Sequence, residues 1–341
     1  MTTINEHTVN EHPPAHAAQE PDEHPAAAVS FIDGIRQADL VPVRKVPPAR
    51  GWRRWLYRAT FGALNPGRSR DERRLADLED TIRTGLRGSY KIGVLGKGGA
   101  GKTTVTACVG SVFAELRNED RIVAVDADTA FGRLAGRVDP TAAGSYWELV
   151  ADTHLEHFSD VKSRLGSNAC GLYVLPGESG TLRRRVINPD IYRQAMNQLD
   201  RHFTIVVVDC GSTMDCAVTE EALQDLDGLL VIASPWLDGA TSAALTMEWL
   251  AASGRTDLLN NTVVVLNDLD GRADAGRVAR LREEFSSKGC HVVELPYDPQ
   301  LRPGGPVDMV NEVGPDTRRR VLQIAAHIAG GFASTTNRNR R

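Results

Sequence analysis

The chain has 341 residues, a formal net charge of −4 and 41% hydrophobic content, enough for an α/β domain of about 240 residues plus a tail, or for two modest domains. That charge exerts no global pull toward nucleic acid, and no apolar run approaches the roughly 18–20 residues that cross a bilayer. The five cysteines (Cys108, Cys170, Cys210, Cys216, Cys290) form no C-x-x-C pair, so free thiols in a reducing, cytoplasmic compartment are expected, without structural zinc.

Residues 1–49 are rich in His, Pro, Ala and Glu and lack periodicity, which predicts a disordered tail. They open without a basic start or an apolar core, so no signal peptide is expected. His7, His12, His16 and His24 fall in this tail, where an unfolded chain cannot fix metal geometry. Residues 29–40 are its one candidate docking segment. Over 50–65 a helix places Trp52, Trp55, Leu56, Ala59 and Ala63 on one face, and Arg53, Arg54 and Arg58 elsewhere. Pro66-Gly67 ends it. Ser69 followed by Glu72 reads as a capping box for a second helix with Leu75, Leu78, Ile82 and Leu86 at helical spacing. Residues 50–88 thus form a basic helical extension. Its Trp stripe packs on the following domain or on a partner; the alternative is an anionic membrane surface. DNA is not an expected partner, although nonspecific binding through these arginines is a third mode.

From residue 89 strand-like runs at 91–95, 122–125, 172–175, 205–208, 229–233, 263–266 and 292–295 alternate with helical stretches at 103–116, 189–201, 216–226, 240–252, 277–287 and 316–329. Strands without polar alternation, spaced by helices, predict a mostly parallel sheet covered on both faces, a three-layer α/β domain over 89–331. Residues 332–341 are left as a flexible basic tail.

The segment Gly96-Lys97-Gly98-Gly99-Ala100-Gly101-Lys102-Thr103-Thr104 fits G-x-x-x-x-G-K-[ST] between a strand and a helix. Its glycines let backbone N–H groups wrap a phosphate, and the next helix aims its positive end at the same anion. Lys102 then reaches the β- and γ-phosphates, and the Thr103 hydroxyl goes to Mg2+. Asp126 and Asp128 end the next predicted strand; the end of a parallel strand beside the first is where an open sheet's ligand is reached. A third segment, Ile205 to Val208 followed by Asp209, Cys210 and Gly211, has the apolar-strand-then-aspartate form that holds Mg2+. Gly211 leaves room for the γ-phosphate.

Lys97 at the head of K-G-G-x-G-K-T-T, with D-x-D and the later aspartate, resembles the deviant Walker A ATPases of the MinD/ParA family. That resemblance covers about residues 90–330. It implies a P-loop NTPase fold, ATP and Mg2+ as cofactors, and a nucleotide-sandwich homodimer in which Lys97 reaches the partner's phosphates. It places Asp126 near the magnesium shell and gives Asp128 the attacking water. Asn267 resembles the adenine-reading asparagine, and Leu295-Pro296-Tyr297-Asp298 the loop that closes over the base. Asp268-Leu269-Asp270 after Asn267 departs from the guanine motif, favouring ATP. Cys210-Gly211-Ser212 departs from the family's usual proline after the aspartate. Upstream, residues 47–66 and 86–104 resemble the EspI-like ATPases associated with actinobacterial type VII (ESX) secretion, with Ala100 where valine is usual. The expected function is therefore an ATP-binding and hydrolysing dimerisation switch serving a secretion component. It would be cytoplasmic, with residues 50–65 as a peripheral contact to the inner face of the plasma membrane. The alternative is a nucleotide-bound scaffold that hydrolyses little.

Overall fold

The computed structural model describes residues 51–61, 68–130, 132–152, 154–177 and 185–334. The predicted tail over 1–49, with its histidines and the segment 29–40, lies outside them, as do Ala63 and the side chains of Trp52 and Arg53. The chain divides into two units, one ending at Gly67 and the other starting at Arg68. In the first, helix α1 (Gly51–Ala59) leaves Arg54, Trp55 and Arg58 exposed.

The second unit opens with α2 (Arg70–Ile82). Ser69 Oγ accepts the Glu72 amide at 3.1 Å, and Glu72 Oε2 accepts the Ser69 amide at 2.7 Å, the expected capping box. Leu75, Leu78, Ile82 and Leu86 join one of the two cores below. The extension drawn over 50–88 therefore divides, because the apolar stripe of its second helix packs against the core of the large unit, with Ile82 fully buried.

The chain continues through β1 (Tyr90–Gly96), α3 (Lys102–Leu116), β2 (Ile122–Ala127) and three short helices, α4 (Leu134–Val138), α5 (Tyr146–Ala151) and α6 (Phe158–Lys162). Next come β3 (Gly166–Ser167), β4 (Tyr173–Leu175), α7 (Pro189–Leu199), β5 (Ile205–Cys210), α8 (Ala217–Gln224) and β6 (Gly228–Ala233). The rest is α9 (Leu237–Ala252), α10 (Thr256–Asn260), β7 (Thr262–Asn267), α11 (Ala275–Ser287), β8 (His291–Leu295) and α12 (Pro315–Ala329). The strands form one sheet in the order β3-β4-β2-β5-β1-β6-β7-β8, parallel except for the β3–β4 pair. Successive strand residues face opposite sides. Accordingly Ile205 and Val207 enter one core while Val206 and Val208 enter the other. Both faces are buried, which is why the strands read as unbroken apolar runs.

One placement differs from the sequence expectation. β2 does not lie beside β1, because β5 runs between them. Strand order is set by crossovers that no local pattern encodes. The consequence is chemical: Asp209 on β5 pairs in register with Val94 on β1 and with Asp126 on β2. The aspartates of two sequence-distant motifs thus become neighbours at the carboxyl end of the sheet.

The tail drawn from residue 332 also starts too early. Phe332 is buried, its ring 4.8 Å from Tyr90 and 5.9 Å from Phe113 between centroids. A single aromatic after a Gly-Gly pair carries no periodic signal. Arg117 ties this corner together. Its guanidinium lies 5.1 Å from the Phe332 ring, donates to the carbonyls of Ile82 (2.6 Å) and Thr84 (2.7 Å), and donates to Asp120 at 2.7 Å. Arg117→Ala orphans two carbonyls and a carboxylate, and should cost about 3 kcal/mol. Thermal unfolding should then fall by roughly 6–12 °C; a fall within error would mean that water satisfies those carbonyls in the variant.

Candidate nucleotide site

The loop between β1 and α3 is shaped by two glycines that no other residue can replace. Gly101, immediately before α3, has φ 94°, and a Cβ there would lie 2.4 Å from Asn267 Nδ2. Gly96 has φ 150°, and its Cβ would strike the Ile232 carbonyl oxygen at 2.2 Å. No side chain caps α3. Its first amides are therefore open to an anion, which the helix end also favours electrostatically. Lys102 is buried at this end, and Thr103 lies half-buried beside it.

Under the loop sit two buried carboxyls, Asp126 and Asp209. Burial raises Asp209 to about 8, the neighbouring Asp126 charge adds to this, and the Thr103 hydroxyl and Lys102 ammonium offset only part of it. Burial likewise raises Asp126 to about 6, against backbone N–H groups that favour its charged form. Asp209 Oδ1 has no hydrogen-bond partner. A buried acid pair with an orphaned oxygen beside a threonine hydroxyl is a donor set suited to a hard divalent cation. ATP with Mg2+ fits these residues.

Asp126 has a second task. Its oxygens accept the amides of Leu134 at 2.9 Å and Asp128 at 3.2 Å, and the Gly177 amide also faces it. Tyr146 donates to its carbonyl oxygen at 2.9 Å. A Cβ at Gly132 or Gly177 would come within 3.0 Å of this carboxyl. These two glycines belong to the site. Neither carries a sequence signal, because nothing local marks a close approach from a distant loop. Asp128 is half-buried and lines the cavity; its Oδ1 accepts the Ala130 amide at 2.8 Å. Gly211 lies opposite, where a Cβ would make an ordinary 3.6 Å contact with Asp128 Oδ1. Space within the chain does not itself demand a glycine there.

The cavity beyond the loop is about 590 Å³ and includes Gly98, Gly99, Thr104, Asn267, Pro296 and Asp298 in its lining. Asn267 Nδ2 donates to the Ala100 carbonyl at 2.9 Å. It braces the phosphate loop, a contact its position at the end of β7 did not reveal. Asp298 accepts the amides of Gln300 (3.0 Å) and Gly314 (2.9 Å), fixing the loop that follows β8. Arg133, Arg137 and Arg302 also line the cavity and carried no sequence signal. Arg137 donates to the carbonyls of Leu301 (3.0 Å) and Gly305 (3.3 Å), joining α4 to the loop after β8.

Lys97 projects from the loop and forms an ion pair with Asp238 at the start of α9. The Lys97 ammonium holds Asp238 below the usual carboxylate range. Leu237 and Leu245 of α9 are exposed beside it, 85% and 57% accessible.

Residues 93–303 match the model of the CobQ/CobB/MinD/ParA nucleotide binding domain. The ESX-1 secretion-associated protein EspI of Mycobacterium tuberculosis is 34% identical over 291 residues, 84% of this chain. The chain spans 43% of the length of that relative. An uncharacterized ATP-binding protein of Methanocaldococcus jannaschii is 27% identical over 208 residues, 61% of this chain and 74% of its own. Among solved structures, the Pyrococcus furiosus cell division ATPase MinD superposes with a TM-score of 0.54 at 19% identity, covering 71% of this chain and 99% of its own. MinD of Pyrococcus horikoshii complexed with Mg-ADP gives 0.54 at 19%, covering 70% and 94%. By the family match over residues 93–303 and the identity over 84% of its length, this chain belongs to the CobQ/CobB/MinD/ParA nucleotide-binding family, of MinD/ParA type and near EspI.

Proposed function

We propose that the chain binds ATP with Mg2+, hydrolyses it, and alternates between a monomer and an ATP-bound homodimer in the service of a type VII (ESX) secretion apparatus. The observation that carries this reading is the buried Asp126–Asp209 pair, with an orphaned Asp209 oxygen next to Thr103 and Lys102. Such a pair has no use in a plain packed core, where unpaired acids are costly. Lys102 and the amides from Gly98 to Thr104 hold the phosphates. Thr103 and Asp209 hold the cation, which supplies charge neutralisation when bound. Asp126 acts from outside that shell, since its oxygens already gather backbone amides. Asp128 orients the attacking water and receives its proton. Asn267, Pro296 and Asp298 form the base side of the cavity.

Dimerisation is supported by Lys97 and by the exposed leucines of α9 next to it. Lys97 exchanges Asp238 for the partner's phosphates in this scheme. The secretion role rests on the similarity to EspI, and the partner would be a component of that apparatus. Among the described residues no helix is long and apolar enough to cross a membrane. A peripheral contact at the inner membrane face falls to α1, where Arg54, Trp55 and Arg58 are exposed.

Light scattering on the Asp128→Ala protein with Mg2+ and ATP should show a dimer. The Asp128→Ala, Lys97→Ala double variant should stay monomeric with ATP affinity retained. A mass unchanged by ATP in Asp128→Ala would remove the dimerisation switch, and calorimetry without Mg2+-dependent ATP binding would remove the whole reading.

A further inference from the structure

The amino ends of three strands meet at a second cavity, at the end of the sheet opposite the phosphate loop. Tyr90 opens β1, Thr262 opens β7 and His291 opens β8, and all three line it with Asn261, His327 and Gly331. Its volume is about 340 Å³. None of these residues serves the proposed nucleotide chemistry.

Three observations converge there. The first is an imidazole pair. The rings of His291 and His327 lie 4.7 Å apart between centroids, with their planes at 30°, and both residues are exposed. Two imidazoles that each hold one ion through a ring nitrogen at about 2.0–2.1 Å place their centroids roughly 4.5–5 Å apart at a square or tetrahedral angle. The second is a hydroxyl. Tyr90 is only 1% exposed, and its hydroxyl has no hydrogen-bond partner. A Cβ at Gly228 or Gly331 would come within 2.9 or 2.7 Å of that oxygen, so glycine at both places keeps the approach to it clear. The Asn261 side-chain oxygen faces the same point, 3.4 Å from a Cβ at Gly331. A buried hydroxyl without a partner is costly; water held on an ion in the cavity would supply the missing bond. The third is the end of α12. His327 lies in its last turn, where the carbonyl end of a helix favours positive charge.

We propose that His291 and His327 together bind one divalent transition cation of the zinc, copper or nickel class, with the Asn261 oxygen and water completing its shell. Imidazole nitrogen selects such ions over Mg2+, which keeps to oxygen. Among the described residues no group of three His, Cys, Asp or Glu side chains gathers around a point, so the ion keeps open positions for water, one of them bonded to Tyr90. The ion ties the first residue of β8 to the last turn of α12 and, through that water, to the first residue of β1. This site stands apart from the nucleotide cavity and does not depend on ATP hydrolysis.

The test uses the full chain, stripped of metal with EDTA and dialysed, then treated with diethylpyrocarbonate over a Zn2+ series. Mass spectrometry maps the modified histidines and separates His291 and His327 from the histidines of residues 1–49. Zn2+ should protect both rings with one common midpoint, and Mg2+ should protect neither. His291→Ala should raise the Zn2+ needed to protect His327 by about tenfold or more, and Tyr90→Phe should raise it severalfold. Without metal, Tyr90→Phe should melt at the same temperature as the wild type or higher, because it deletes only an unpartnered hydroxyl. Protection of His327 that survives unchanged in His291→Ala would overturn the inference. So would two rings left reactive under excess Zn2+, the result expected of a plain stacked pair. An unshifted midpoint in Tyr90→Phe would remove the hydroxyl from the site.

Discussion

Asp128→Ala should lower ATP turnover by on the order of 100-fold or more, the scale of losing a positioned acid–base group, while ATP affinity stays within about threefold. The split follows from where the residue sits. In the proposed scheme phosphate binding draws on the loop amides, Lys102 and the open end of α3, none of which touches the Asp128 side chain among the contacts described. Asp128 faces the cavity from the end of β2, opposite Gly211, with one oxygen engaged by the Ala130 amide. Its remaining oxygen is free to take a water proton. Removing it should leave a protein that loads nucleotide and stays loaded, measured as phosphate release against binding of a fluorescent ATP analogue. If the variant hydrolyses ATP at the wild-type rate, Asp128 has no part in the chemistry, and the nucleotide-bound scaffold becomes the better description. If it loses binding instead, the Asp128 side chain is a structural strut of the loop after β2.

The phosphate loop was legible because its chemistry is local. Gly96 to Thr104 are contiguous, and backbone shape, lysine and hydroxyl all derive from that one stretch. Asp209 was legible because an apolar strand ending in an acid is also local. What escaped the sequence is what depends on strand order and loop approach. Asp126 and Asp209 are 83 positions apart (209 less 126), and only the insertion of β5 between β2 and β1 makes them register partners. Their mutual effect on ionisation is therefore a tertiary property. Gly132 and Gly177 close on Asp126 from two separate loops, and Asn267 crosses to Ala100. Phe332 escaped for a related reason: an isolated aromatic has no period, and its burial depends on Tyr90, Phe113 and Arg117 converging from elsewhere. The mostly parallel sheet itself was read correctly, since strands buried on both faces announce themselves by unbroken apolar runs.

Asp209→Asn should make the nucleotide-free protein more stable at pH 8 and abolish its response to Mg2+. In the folded chain Asp209 binds its proton up to about pH 8, whereas an unfolded aspartate releases it near pH 4. Between those values the native state holds more protons than the unfolded one, so stability falls as pH rises through this window. The cause is removal of a carboxylate from water beside a second acid, and the penalty at pH 8 is on the order of 3 kcal/mol or more. An asparagine carries no such charge and can still accept from Thr103. The stability of the variant should therefore change little between pH 6 and pH 8, keeping only the slope below about pH 6 that belongs to Asp126. Wild-type protein should recover the lost stability when Mg2+ and ATP are added, because a bound cation favours the charged carboxylate. Denaturant titrations at pH 5, 6.5 and 8, with and without Mg2+–ATP, separate these terms. A variant that is less stable than wild type at pH 8, or a wild type whose stability does not decline from pH 5 to pH 8, would show that the buried pair is not held at a cost. The case for a cation at this position would then lose its physical basis. The expected outcome, a protein made more stable and less able to engage its cofactor by one atom's exchange, would locate in Asp209 the point where folding stability is given up for nucleotide chemistry.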